Sequence, residues 1–394
     1  MQAVIPIAGK STRTEPLTIN IPKALLKLAN KTIIEHNLDQ LEGLVDEVIL
    51  IVGFKANLIK EKLGLKYKDL QLTYVTQEEQ LGTGHALSLA KEKVEGRFLF
   101  FMGDDLYSKE DIKRCLEHNY SILVQETDEP ERFGIVEEQS NKLKGIVEKP
   151  KDLDKGLANT ALYVLGKDIF DIKVEKSERD EYEATDMITE FAKTNDIECV
   201  KVQDYWLPIG YAWNLLDANK VLLSKLDDPN VFGEVEPNAT IEGELYLGHN
   251  SVIKNGSYIE GNVVIGNDCV IGPNCYIRGS TSIGNNCRVG NAVEIKNTII
   301  MDNTNVGHLS YIGDSVIGQD SNMGAGTITA NLKHDNANVK SMVKDQLLDS
   351  GRRKFGTIIA DHVHTGIHTS IYPGRKIWPG KFTLPGEIVK KDVK

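Results

Sequence analysis

Aliphatic side chains recur at every sixth position through much of the second half of this chain. The series keeps one register over Ile241, Leu247, Ile253, Ile259, Ile265, Ile271, Ile277, Ile283, Val289, Ile295 and Met301. Neither the 3.6-residue period of a helix nor the two-residue period of a strand gives a strict six. A step of six residues is typical of parallel β-helices, whose stacked repeats bury one continuous core. The pattern therefore predicts a β-helix of hexapeptide repeats, in which three hexads make one coil.

The residues between these aliphatic positions support the same prediction. The position two places earlier is mostly small, as at Ser251, Ser257 and Cys269, so large and small side chains would alternate inside a narrow prism. Gly or Asn often follows the aliphatic residue, and both tolerate the positive φ of a tight corner. An ordinary β-sandwich is the alternative, but it would show alternation interrupted by longer turns.

The repeat is predicted to begin near Val235 and to continue to about Lys376, with two irregularities. After Met301 the register slips, and it resumes through Val306, Ile312, Ile317, Met323 and Ile328. Between Asn331 and Phe355 the period disappears, and basic residues stand there among Asp and Asn residues. We expect that stretch to be a loop that projects from one corner of the β-helix.

The first half of the chain has a different pattern, in which short apolar runs alternate with amphipathic stretches. Strands are predicted at Gln2–Ala8, Glu47–Gly53, Leu70–Thr76 and Arg97–Met102, and then at Ser121–Glu126, Gly134–Glu138, Lys144–Glu148 and Ala158–Leu165. Helices are predicted at Thr32–Leu44, Ala56–Leu63, Gly84–Val94, Lys109–Glu117, Ala184–Thr194 and Trp213–Leu226. This order predicts a mostly parallel sheet covered by helices, followed by a mixed region. Because Asp227-Asp228-Pro229-Asn230 is a helix stop, we expect one domain at 1–228 and a second at 229–394.

Composition and charge narrow the class of protein. A net charge of −11 at pH 7 argues against nucleic acid as the main partner. No run of eighteen apolar residues is present, so no membrane span is expected. The chain starts directly with a strand-like run rather than a signal peptide, and its five cysteines form no CxxC pair. We therefore expect a cytoplasmic protein whose cysteines are reduced.

A small-residue loop follows the first predicted strand. Its sequence is Ala8-Gly9-Lys10-Ser11-Thr12-Arg13, and Lys23 follows in an Ile-Pro-Lys turn. In an α/β sheet this loop lies at the carboxyl end of a strand, where ligands usually bind. Backbone N–H groups there can cradle phosphates, and Arg13 and Lys23 can supply positive charge. Taken alone, the loop is explained equally well as a plain strand-to-helix turn.

Further segments in a fixed order strengthen the ligand-binding interpretation. They are Gln77-Glu78-Glu79-Gln80-Leu81-Gly82-Thr83-Gly84-His85-Ala86, Phe101-Met102-Gly103-Asp104-Asp105, Phe133-Gly134-Ile135-Val136, Val147-Glu148-Lys149-Pro150 and Asn159-Thr160-Ala161. Together with the first loop, they resemble the signature of the sugar-1-phosphate nucleotidylyltransferases. The resemblance implies a Rossmann-like α/β nucleotidyltransferase domain that joins a sugar phosphate to the α-phosphate of a nucleoside triphosphate and releases pyrophosphate.

The resemblance also implies roles for individual residues. It implies that Arg13 and Lys23 act on the triphosphate as catalytic residues and that Asp104 carries Mg²⁺, a cation suited to carboxylate and phosphate oxygens. The residues implied to bind the nucleotide are Ala8, Gly9, Gln77, Gly82, Thr83 and Gly103, and those implied to bind the sugar phosphate are Gly134, Glu148, Lys149 and Asn159. Without the resemblance, Asp104 would be explained as a turn carboxylate, and Glu148 with Lys149 as a solvated pair.

Two residues depart from the family pattern. Ser11 stands where the family usually has glycine, which implies a less close approach of the backbone to the phosphates. Pro208 stands in a segment, Trp206 to Gly210, where the family often has an aspartate that is a second metal ligand. Because proline has no side-chain ligand atom, either another group, such as Asp105 or a water, completes the metal site, or nucleotidyl transfer is weakened.

The predicted β-helix contains a second group of candidate catalytic and substrate-binding residues. Val306-Gly307-His308-Leu309-Ser310-Tyr311-Ile312-Gly313-Asp314 and Asn322-Met323-Gly324-Ala325-Gly326-Thr327-Ile328-Thr329-Ala330-Asn331 interrupt the regular repeat. Both segments resemble the acetyltransferase half of the bifunctional N-acetylglucosamine-1-phosphate uridylyltransferase/glucosamine-1-phosphate acetyltransferase family. The later stretch with Lys340 and residues 350–356 is more similar to the archaeal members. The resemblance implies a left-handed β-helix, assembly as a homotrimer, and UTP or dTTP and acetyl-CoA as co-substrates.

Acetyl transfer to an amine requires a base, and histidine is a natural choice near neutral pH. The resemblance implies that His308 is this base and that Asn331 holds the amine or the developing oxyanion. Residues implied to bind the sugar phosphate are Arg278, Lys296, Tyr311 and Asn322, and those implied to bind acetyl-CoA are Ala325 and Lys340. From spacing alone, His308 would be a surface histidine at a corner, and Arg278 and Lys296 would be solvated coil positions.

Three further histidines, His362, His364 and His368, are spaced across different hexad faces. We expect them to line a coenzyme A groove rather than to bind a metal, because no cysteine or carboxylate cluster completes a tetrahedral site. Two alternatives to a bifunctional enzyme stay open. One is a nucleotidylyltransferase whose β-helix serves only assembly, and the other is a regulatory scaffold without turnover.

Overall fold

The computed structural model describes residues 1–226 and 229–394. These residues form two compact units. The first contains Met1–Lys10 and Ile33–Pro208, and the second contains Ser11–Thr32 and Ile209–Lys394. The predicted domain boundary, between residues 228 and 229, falls at the gap in the described residues and stays a prediction. In the described ranges, no helix is long and apolar enough to cross a membrane.

A ten-stranded mixed sheet is the centre of the first unit, in the order β10-β11-β13-β9-β12-β7-β1-β4-β6-β5. The first strands of the chain are β1 (Gln2–Pro6), β2 (Lys27–Leu28), β3 (Lys31–Thr32), β4 (Glu47–Val52), β5 (Lys66–Tyr67), β6 (Leu70–Thr76), β7 (Phe98–Phe101), β8 (Leu106–Tyr107), β9 (Ser121–Thr127), β10 (Gly134–Gln139), β11 (Lys142–Glu148), β12 (Gly156–Leu165), β13 (Glu198–Lys201) and β14 (Trp206–Leu207). Strands β7, β1, β4 and β6 are parallel, whereas β12 runs antiparallel beside β7. The carboxyl ends of the parallel strands therefore lie at one edge.

Within residues 1–226 and 229–394, six α-helices accompany these strands. They are α1 (Ile33–Leu41), α2 (Ala56–Leu63), α3 (Thr83–Ser88), α4 (Lys109–Leu116), α5 (Ala184–Ala192) and α6 (Asn214–Ser224). The predicted elements are thus present, and most of their ends are shifted by no more than three residues. The prediction for α3 was too long, because the chain after Ser88 continues in turns, where Ala90, Lys91 and Lys93 donate to the carbonyl three residues back rather than four. Ala90 and Val94 of this stretch are still buried in the core, which explains the helix-like apolar spacing.

The remaining strands build the predicted left-handed β-helix. Its strands, with one hairpin, are β15 (Glu234–Val235), β16 (Thr240–Glu242), β17 (Leu245–Leu247), β18 (Val252–Ile253), β19 (Tyr258–Glu260), β20 (Val263–Ile265), β21 (Val270–Ile271), β22 (Tyr276–Arg278), β23 (Thr281–Ile283), β24 (Arg288–Val289), β25 (Glu294–Lys296), β26 (Ile299–Ile300), β27 (Asn305–Val306), β28 (Tyr311–Gly313), β29 (Val316–Ile317), β30 (Asn322–Met323), β31 (Ile328–Thr329), β32 (Lys340–Val343), β33 (Gln346–Asp349), β34 (Thr357–Ile359), β35 (Ser370–Ile371), β36 (Arg375–Ile377) and β37 (Ile388–Val389). Three parallel sheets of six, eight and seven strands form its sides. Ile259 pairs with Ile277 and Ile277 with Ile295, eighteen residues apart, so a coil is three hexads, as predicted.

The interior of the β-helix is filled by the periodic aliphatic side chains. Ile253, Ile259 and Ile277 are fully buried in one stacked core, and Cys269 and Cys287 occupy small inward positions beside them. Burying a side chain of this size contributes roughly 1.5–3 kcal/mol. The repeated burial in successive coils explains why so short a period specifies the fold.

The predicted register was wrong at two positions. Ile283 pairs with Ile300, not with Met301, so the coil is one residue shorter and the slip precedes Met301. Ile300 belongs to the stacked core, and Met301 does not. Further along, Thr329 is the buried residue of its strand, whereas Ile328 is 39% exposed.

The stretch between Asn331 and Phe355 is more ordered than the predicted loop. It contains an antiparallel hairpin in which β32 pairs with β33 around Lys344 and Asp345, which both have positive φ. The β-helix also extends beyond the predicted end at Lys376, because β35 pairs with β37.

The segment Ser11–Thr32 belongs to the second unit through specific contacts. Lys27 forms an ion pair with Asp302 at 2.5 Å, and the Asn30 side chain donates to the Ile283 carbonyl at 2.6 Å. The Ala29 N–H donates to the Asn219 side chain of α6 at 2.8 Å. These contacts attach the segment that carries Arg13 and Lys23 to α6 and to the β-helix coils.

Candidate functional site

Two glycine-containing loops lie at the carboxyl edge of the first unit's parallel strands. Ala8 and Gly9 follow β1, and Gly103 and Asp104 follow the neighbouring β7. A Cβ at Gly103 would come within 2.4 Å of the Ile7 side chain, so only glycine fits there. The Gly103 N–H also donates to the Pro6 carbonyl at 3.3 Å, which holds the two loops together. The structure therefore places four of the predicted nucleotide and metal residues at one edge.

The predicted base-binding turn follows β6 on the same sheet. Gln77 is buried, and its side-chain amide lies 3.2 Å from the Gly82 carbonyl and 3.1 Å from Nδ1 of His85. Gly82 has a φ of 107°, and a Cβ there would lie 2.4 Å from the Tyr182 carbonyl. Thr83 begins α3, and its hydroxyl accepts the Ala184 N–H at 3.0 Å. Close packing against the residues before α5 thus fixes the turn and the amide of Gln77.

Two neighbouring carboxylates, Asp104 and Asp105, follow β7. One oxygen of Asp105 accepts the indole N–H of Trp206 at 3.1 Å, so this carboxylate helps to hold the start of the segment that contains Pro208. Burial raises the pKa of Tyr107 well above its usual value, and the negative charges of Asp105 and Asp104 raise it further. The edge is therefore electronegative at the point where a cation is expected.

This arrangement fits a magnesium ion held mainly by its substrate. Within residues 1–226 and 229–394, no group of three or more His, Cys, Asp or Glu side chains could hold a metal. Mg²⁺ is usually bound in proteins by one or two carboxylates, with phosphate oxygens and waters as its other ligands. Asp104, with Asp105 beside it, supplies that number of carboxylates.

The predicted sugar-binding residues lie on three neighbouring strands of the same sheet. Gly134 of β10 pairs with Glu148 of β11, and β10 also pairs with β12, which carries Asn159. The Asn159 side chain is buried and exchanges hydrogen bonds of 2.6 and 2.9 Å with the Tyr163 hydroxyl. A Cβ at Gly134 would lie 3.0 Å from the Glu148 carboxylate, so the glycine leaves space beside that group.

Charged side chains flank Glu148. Its carboxylate lies 3.7 Å from the Lys149 ammonium and 3.6 Å from the guanidinium of Arg179. Arg179 also pairs with Glu183 at 2.9 Å. Because Glu148, Lys149 and Arg179 are exposed, the two pairs that Glu148 forms contribute little stability and are available to rearrange around a ligand.

The basic residues of the small-residue motif lie in the second unit. Arg13 is on the short 3₁₀ turn Thr12–Thr14 and lies 5.8 Å over the Tyr211 ring, while Lys23 is buried at the start of the turn Lys23–Leu25. Ser11 has φ 52° and ψ 47°, the left-handed conformation in which glycine carries no penalty. The departure from the family's glycine therefore affects a strained position.

A buried carboxylate is the centre of a hydrogen-bonded network among the predicted catalytic and binding residues of the β-helix. Asp314 is 3% exposed and accepts hydrogen bonds from Asn331 at 2.5 Å and Asn297 at 2.8 Å. The Lys296 ammonium lies 3.5 Å from the same carboxylate. Asn331 also donates to the Tyr311 hydroxyl at 3.0 Å, so three of the predicted residues belong to one network.

Positive charge gathers beside this network. Arg278 and Lys296 occupy equivalent positions in consecutive coils, and Glu294 binds the Arg278 guanidinium at 2.7 Å. The hydrogen bonds that Arg278 donates to the Glu294 carboxylate raise the pKa of Arg278. The positive charge of Lys296 lowers the pKa of the exposed Lys354, since two cations there repel each other. An anion bound between Lys296 and Lys354 would relieve this repulsion.

His308 lies at the corner between β27 and β28, and its side chain is exposed. Its ring nitrogen Nδ1 would lie 3.3 Å from a Cβ at Gly290 in the preceding coil. The His308 carbonyl accepts the Gly326 N–H at 2.9 Å, and the Ala325 carbonyl accepts the His368 N–H at 2.7 Å. The predicted base and the predicted coenzyme A residue Ala325 are thus stacked on one corner.

Two other predicted residues, Asn322 and Lys340, have partners outside the Asp314 network. Asn322 is exposed on the six-stranded sheet and pairs with His364 of a later coil. Lys340 is exposed at the start of the hairpin, where its carbonyl accepts a bond from Arg375 at 3.0 Å. The structure shows no hydrogen bond between Lys340 and the Asp314 network within the described residues.

A glycine makes room for the Tyr311 ring, and its replacement should disrupt the network. A Cβ at Gly313 would lie 2.4 Å from the Tyr311 hydroxyl and 2.8 Å from the Asn331 amide. Gly313→Ala should therefore displace both side chains and lower thiol release from acetyl-CoA by about tenfold or more, as expected for loss of positioned groups. Gly351→Ala is the control for a β-helix glycine outside the network, although its φ of 70° makes some loss of stability expected. Equal thiol release by Gly313→Ala and wild type would contradict the assignment.

Comparison with known proteins gives these sites a family context. The nucleotidyl transferase family matches residues 2–225, and the GMPPB C-terminal domain matches residues 259–382. The bifunctional protein GlmU of Methanocaldococcus jannaschii is 38% identical over 100% of this chain and 96% of its own length. GlmU of Methanococcus maripaludis is 42% identical over 100% of this chain and 95% of its own length. The chain belongs to this bifunctional family.

Two further similar proteins differ in how much of this chain they cover. The bifunctional sugar-1-phosphate nucleotidylyltransferase/acetyltransferase of Sulfurisphaera tokodaii is 38% identical over 100% of this chain and 98% of its own length. A solved structure from Bacillus anthracis, named for glucose-1-phosphate thymidylyl transfer, superimposes with a TM-score of 0.53 at 25% identity. That structure covers 58% of this chain and 98% of its own length, so the bifunctional relatives match more of this chain.

Several residues that contact the predicted site residues were not themselves predicted from the sequence. Asp314, Tyr163 and Lys354 each contact or face predicted residues, and Gln80 donates to the Ala8 carbonyl at 2.8 Å. Gln80 and Asp314 stand inside the motif segments, so their positions were a usable signal. Tyr163 lies outside those segments and Lys354 lies in the later stretch 350–356, and the fold brings both of them to the site.

Proposed function

We propose that this chain synthesises UDP-N-acetylglucosamine or its thymidine counterpart in two steps. The β-helix transfers an acetyl group from acetyl-CoA to glucosamine-1-phosphate, and the α/β domain joins the product to UTP or dTTP and releases pyrophosphate. The observation that carries the proposal is the Asp314 network, which joins Tyr311, Asn331 and Lys296 in a chain with full-length bifunctional relatives.

In the acetyl-transfer step, the chain must hold the sugar phosphate and remove a proton from its amine. Lys296 and Lys354 hold the phosphate, with Arg278 beside them, and the closeness of these positive charges supports the assignment. Tyr311 and Asn322 orient the sugar, and Asn331 donates toward the amine or the developing oxyanion. The amine nitrogen attacks the thioester carbon while His308 takes its proton, and the departing coenzyme A thiolate receives a proton in turn. Ala325 and Lys340 are assigned to the coenzyme.

In the nucleotidyl-transfer step, the residues act mainly by positioning and by balancing charge. Gln77, Gly82 and Thr83 hold the base, and Gly134, Glu148 and Asn159 hold the sugar, with Lys149 near its phosphate. Ala8, Gly9 and Gly103 offer backbone close to the nucleotide, and Arg13 and Lys23 bind the triphosphate. Bound at Asp104, Mg²⁺ would neutralise charge that develops on the phosphate oxygens.

We further propose that the enzyme works as a cytoplasmic homotrimer with domains at 1–228 and 229–394. Exposed apolar side chains on the later coils support an assembly through the β-helix. These include Leu309, Ile367, Phe382 and Leu384, which are 52–70% exposed. Free, buried cysteines agree with a reducing compartment. Light scattering that gives a monomer mass at micromolar concentration would contradict the trimer.

One incubation tests both reactions. The protein is mixed with glucosamine-1-phosphate, acetyl-CoA and either UTP or dTTP with Mg²⁺, and free thiol and pyrophosphate are followed separately. We expect both products, with pyrophosphate release depending on acetyl-CoA if only the acetylated sugar is accepted. A parallel incubation with galactosamine-1-phosphate compares the sugars. Thiol without pyrophosphate would limit the activity to the β-helix, and neither product would reject the proposal.

A further inference from the structure

A lysine ends a mostly apolar column on the outer side of the β-helix. In the seven-stranded sheet, one residue from each of the last six strands pairs with the next: Val264, Ser282, Ile299, Val316, Ile358 and Lys376. None of these side chains belongs to the interior core, yet each is at most 8% exposed. Ser282 donates to Asn219 of α6, and Lys376 contacts Glu15, all within the second unit. Lys376 is 2% exposed and is the only charged residue of the six.

The Lys376 ammonium is used to hold a backbone carbonyl. Its Nζ donates to the Glu15 carbonyl oxygen at 2.8 Å. Glu15 directly follows the turn Thr12–Thr14, which carries Arg13. Within this turn the Ser11 carbonyl accepts the Thr14 N–H at 3.0 Å, and the Lys376 bond attaches the carboxyl end of the turn to β36.

We propose that Lys376 is a positioning residue for nucleotidyl transfer, which holds the Arg13 turn on the β-helix so that Arg13 is presented to the triphosphate. This inference rests on the function proposed above. The β-helix would then serve the nucleotidyl step as well as the acetyl step, through a side chain far along the chain from the motif that it holds.

The cost of burying a charge supports a functional role. Burial lowers the pKa of Lys376 to about 8, opposed by the negative charges of Asp392 and Glu15. The ordinary lysine value is higher, so between these two pKa values the unfolded chain binds more protons and stability rises with pH. At neutral pH the charged lysine therefore lowers stability, and a methionine would not. A residue that is retained at a cost to stability is a candidate for function.

Other charged groups face the same ammonium from each neighbouring element. Arg375 lies on its own strand, Asp392 and Lys394 lie on the last residues of the chain, and Lys344 and Asp345 lie on the hairpin. A cavity of about 110 Å³ lies beside Lys376, between this hairpin and the Thr12 turn. The cavity leaves room for the larger guanidinium of an arginine, which stays charged at any pH used.

The test compares Lys376→Met with Lys376→Arg and with a matched control. The control is Arg375→Met, since the Arg375 guanidinium binds the Pro373 and Lys340 carbonyls rather than the Arg13 turn. We expect Lys376→Met to raise the KM for the nucleoside triphosphate about tenfold, with thiol release within twofold of wild type and a Tm at pH 7 equal to or higher than wild type. Lys376→Arg and Arg375→Met should keep the wild-type KM.

Two further measurements separate this inference from the proposed function. Amide hydrogen exchange across residues 12–18 should be about tenfold faster in Lys376→Met, whether or not the protein turns over. In wild type the KM should rise above pH 8, as the ammonium loses its charge, and this rise should be absent in Lys376→Arg. Unchanged exchange and unchanged KM in Lys376→Met would overturn the inference, as would parallel losses of Tm and thiol release. Faster exchange in a protein that releases no pyrophosphate would overturn the proposed function, while the attachment of the Arg13 turn by Lys376 would still be supported.

Discussion

Asp104→Asn should lower pyrophosphate release by on the order of a thousandfold while thiol release from acetyl-CoA persists. Asparagine keeps the size of the side chain but removes the negative charge at the edge of the parallel strands. Stabilisation of transition-state charge by a metal amounts to several kcal/mol, and each 1.36 kcal/mol is tenfold in rate. Separate initial rates of pyrophosphate and thiol release measure the two effects in one preparation.

Asp105→Asn is the matched control for this prediction. Its carboxylate accepts the Trp206 indole N–H, and an asparagine oxygen can accept the same bond. We therefore expect a tenfold loss of pyrophosphate release or less. A loss equal to that of Asp104→Asn would show that Asp105 is a second metal ligand, in place of the family's aspartate at the position of Pro208. Full activity of Asp104→Asn would refute the metal assignment itself.

The repeat was predictable because burial in a prism repeats with the same period as the sequence. Ile259, Ile277 and Ile295 meet the same packing constraint in successive coils, so one side-chain type recurs. In the first half, the predicted strands agree with the structure because each apolar run is buried in the central sheet. The local sequence pattern is enough to predict an element when every copy of that element has the same surroundings.

Prediction failed where neighbouring residues are chemically alike. Ile299, Ile300 and Met301 are three consecutive apolar residues, and pattern alone does not tell which one points inward. The shorter coil decides it, because Ile300 stacks on Ile283. Likewise, Thr329 is buried because its hydroxyl accepts the Gly313 N–H at 2.9 Å, a contact that hydrophobicity does not reveal.

The hairpin at 340–349 was missed for a different reason. Its turn residues, Lys344 and Asp345, both have positive φ, but the usual signal for such a turn is Asn-Gly or Asp-Gly. Its strands are also short and carry charge, so they did not stand out from a loop.

Only some of the site residues were predictable from the sequence. Some follow a predicted strand directly, whereas others are brought to the site by the completed fold. Motif residues such as Gly103 and Asp104 follow a strand directly, so the strand prediction also places them at the sheet edge. Tyr163 reaches Asn159 from within its own strand, and Lys354 reaches Lys296 only because a long excursion returns to the coil. Such contacts depend on the completed fold rather than on spacing.

His308→Ala should lower thiol release by about 10²–10⁴-fold, the usual contribution of a general base, while pyrophosphate release from supplied N-acetylglucosamine-1-phosphate stays within twofold. The backbone of this corner is fixed independently of the imidazole, because the His308 carbonyl accepts the Gly326 N–H and the Ser310 hydroxyl. The substitution should therefore remove the base without changing the coil. Millimolar imidazole in the assay should restore part of the thiol release.

His362→Ala is the matched control, since His362 is also an exposed histidine at a β-helix corner, 4.0 Å from the Asp320 carboxylate. Because the sequence predicts that His362 lines the coenzyme A groove, we expect its replacement to leave the kcat of thiol release at the wild-type value and to raise only the KM for acetyl-CoA. If His308→Ala and His362→Ala both kept full thiol release, the amine would need no base at this corner, and the β-helix would serve assembly alone. If both lost it equally, the corner histidines would act through coenzyme binding, which a raised KM for acetyl-CoA at unchanged kcat would reveal. Only a loss confined to His308, expressed in kcat, agrees with proton removal at that ring.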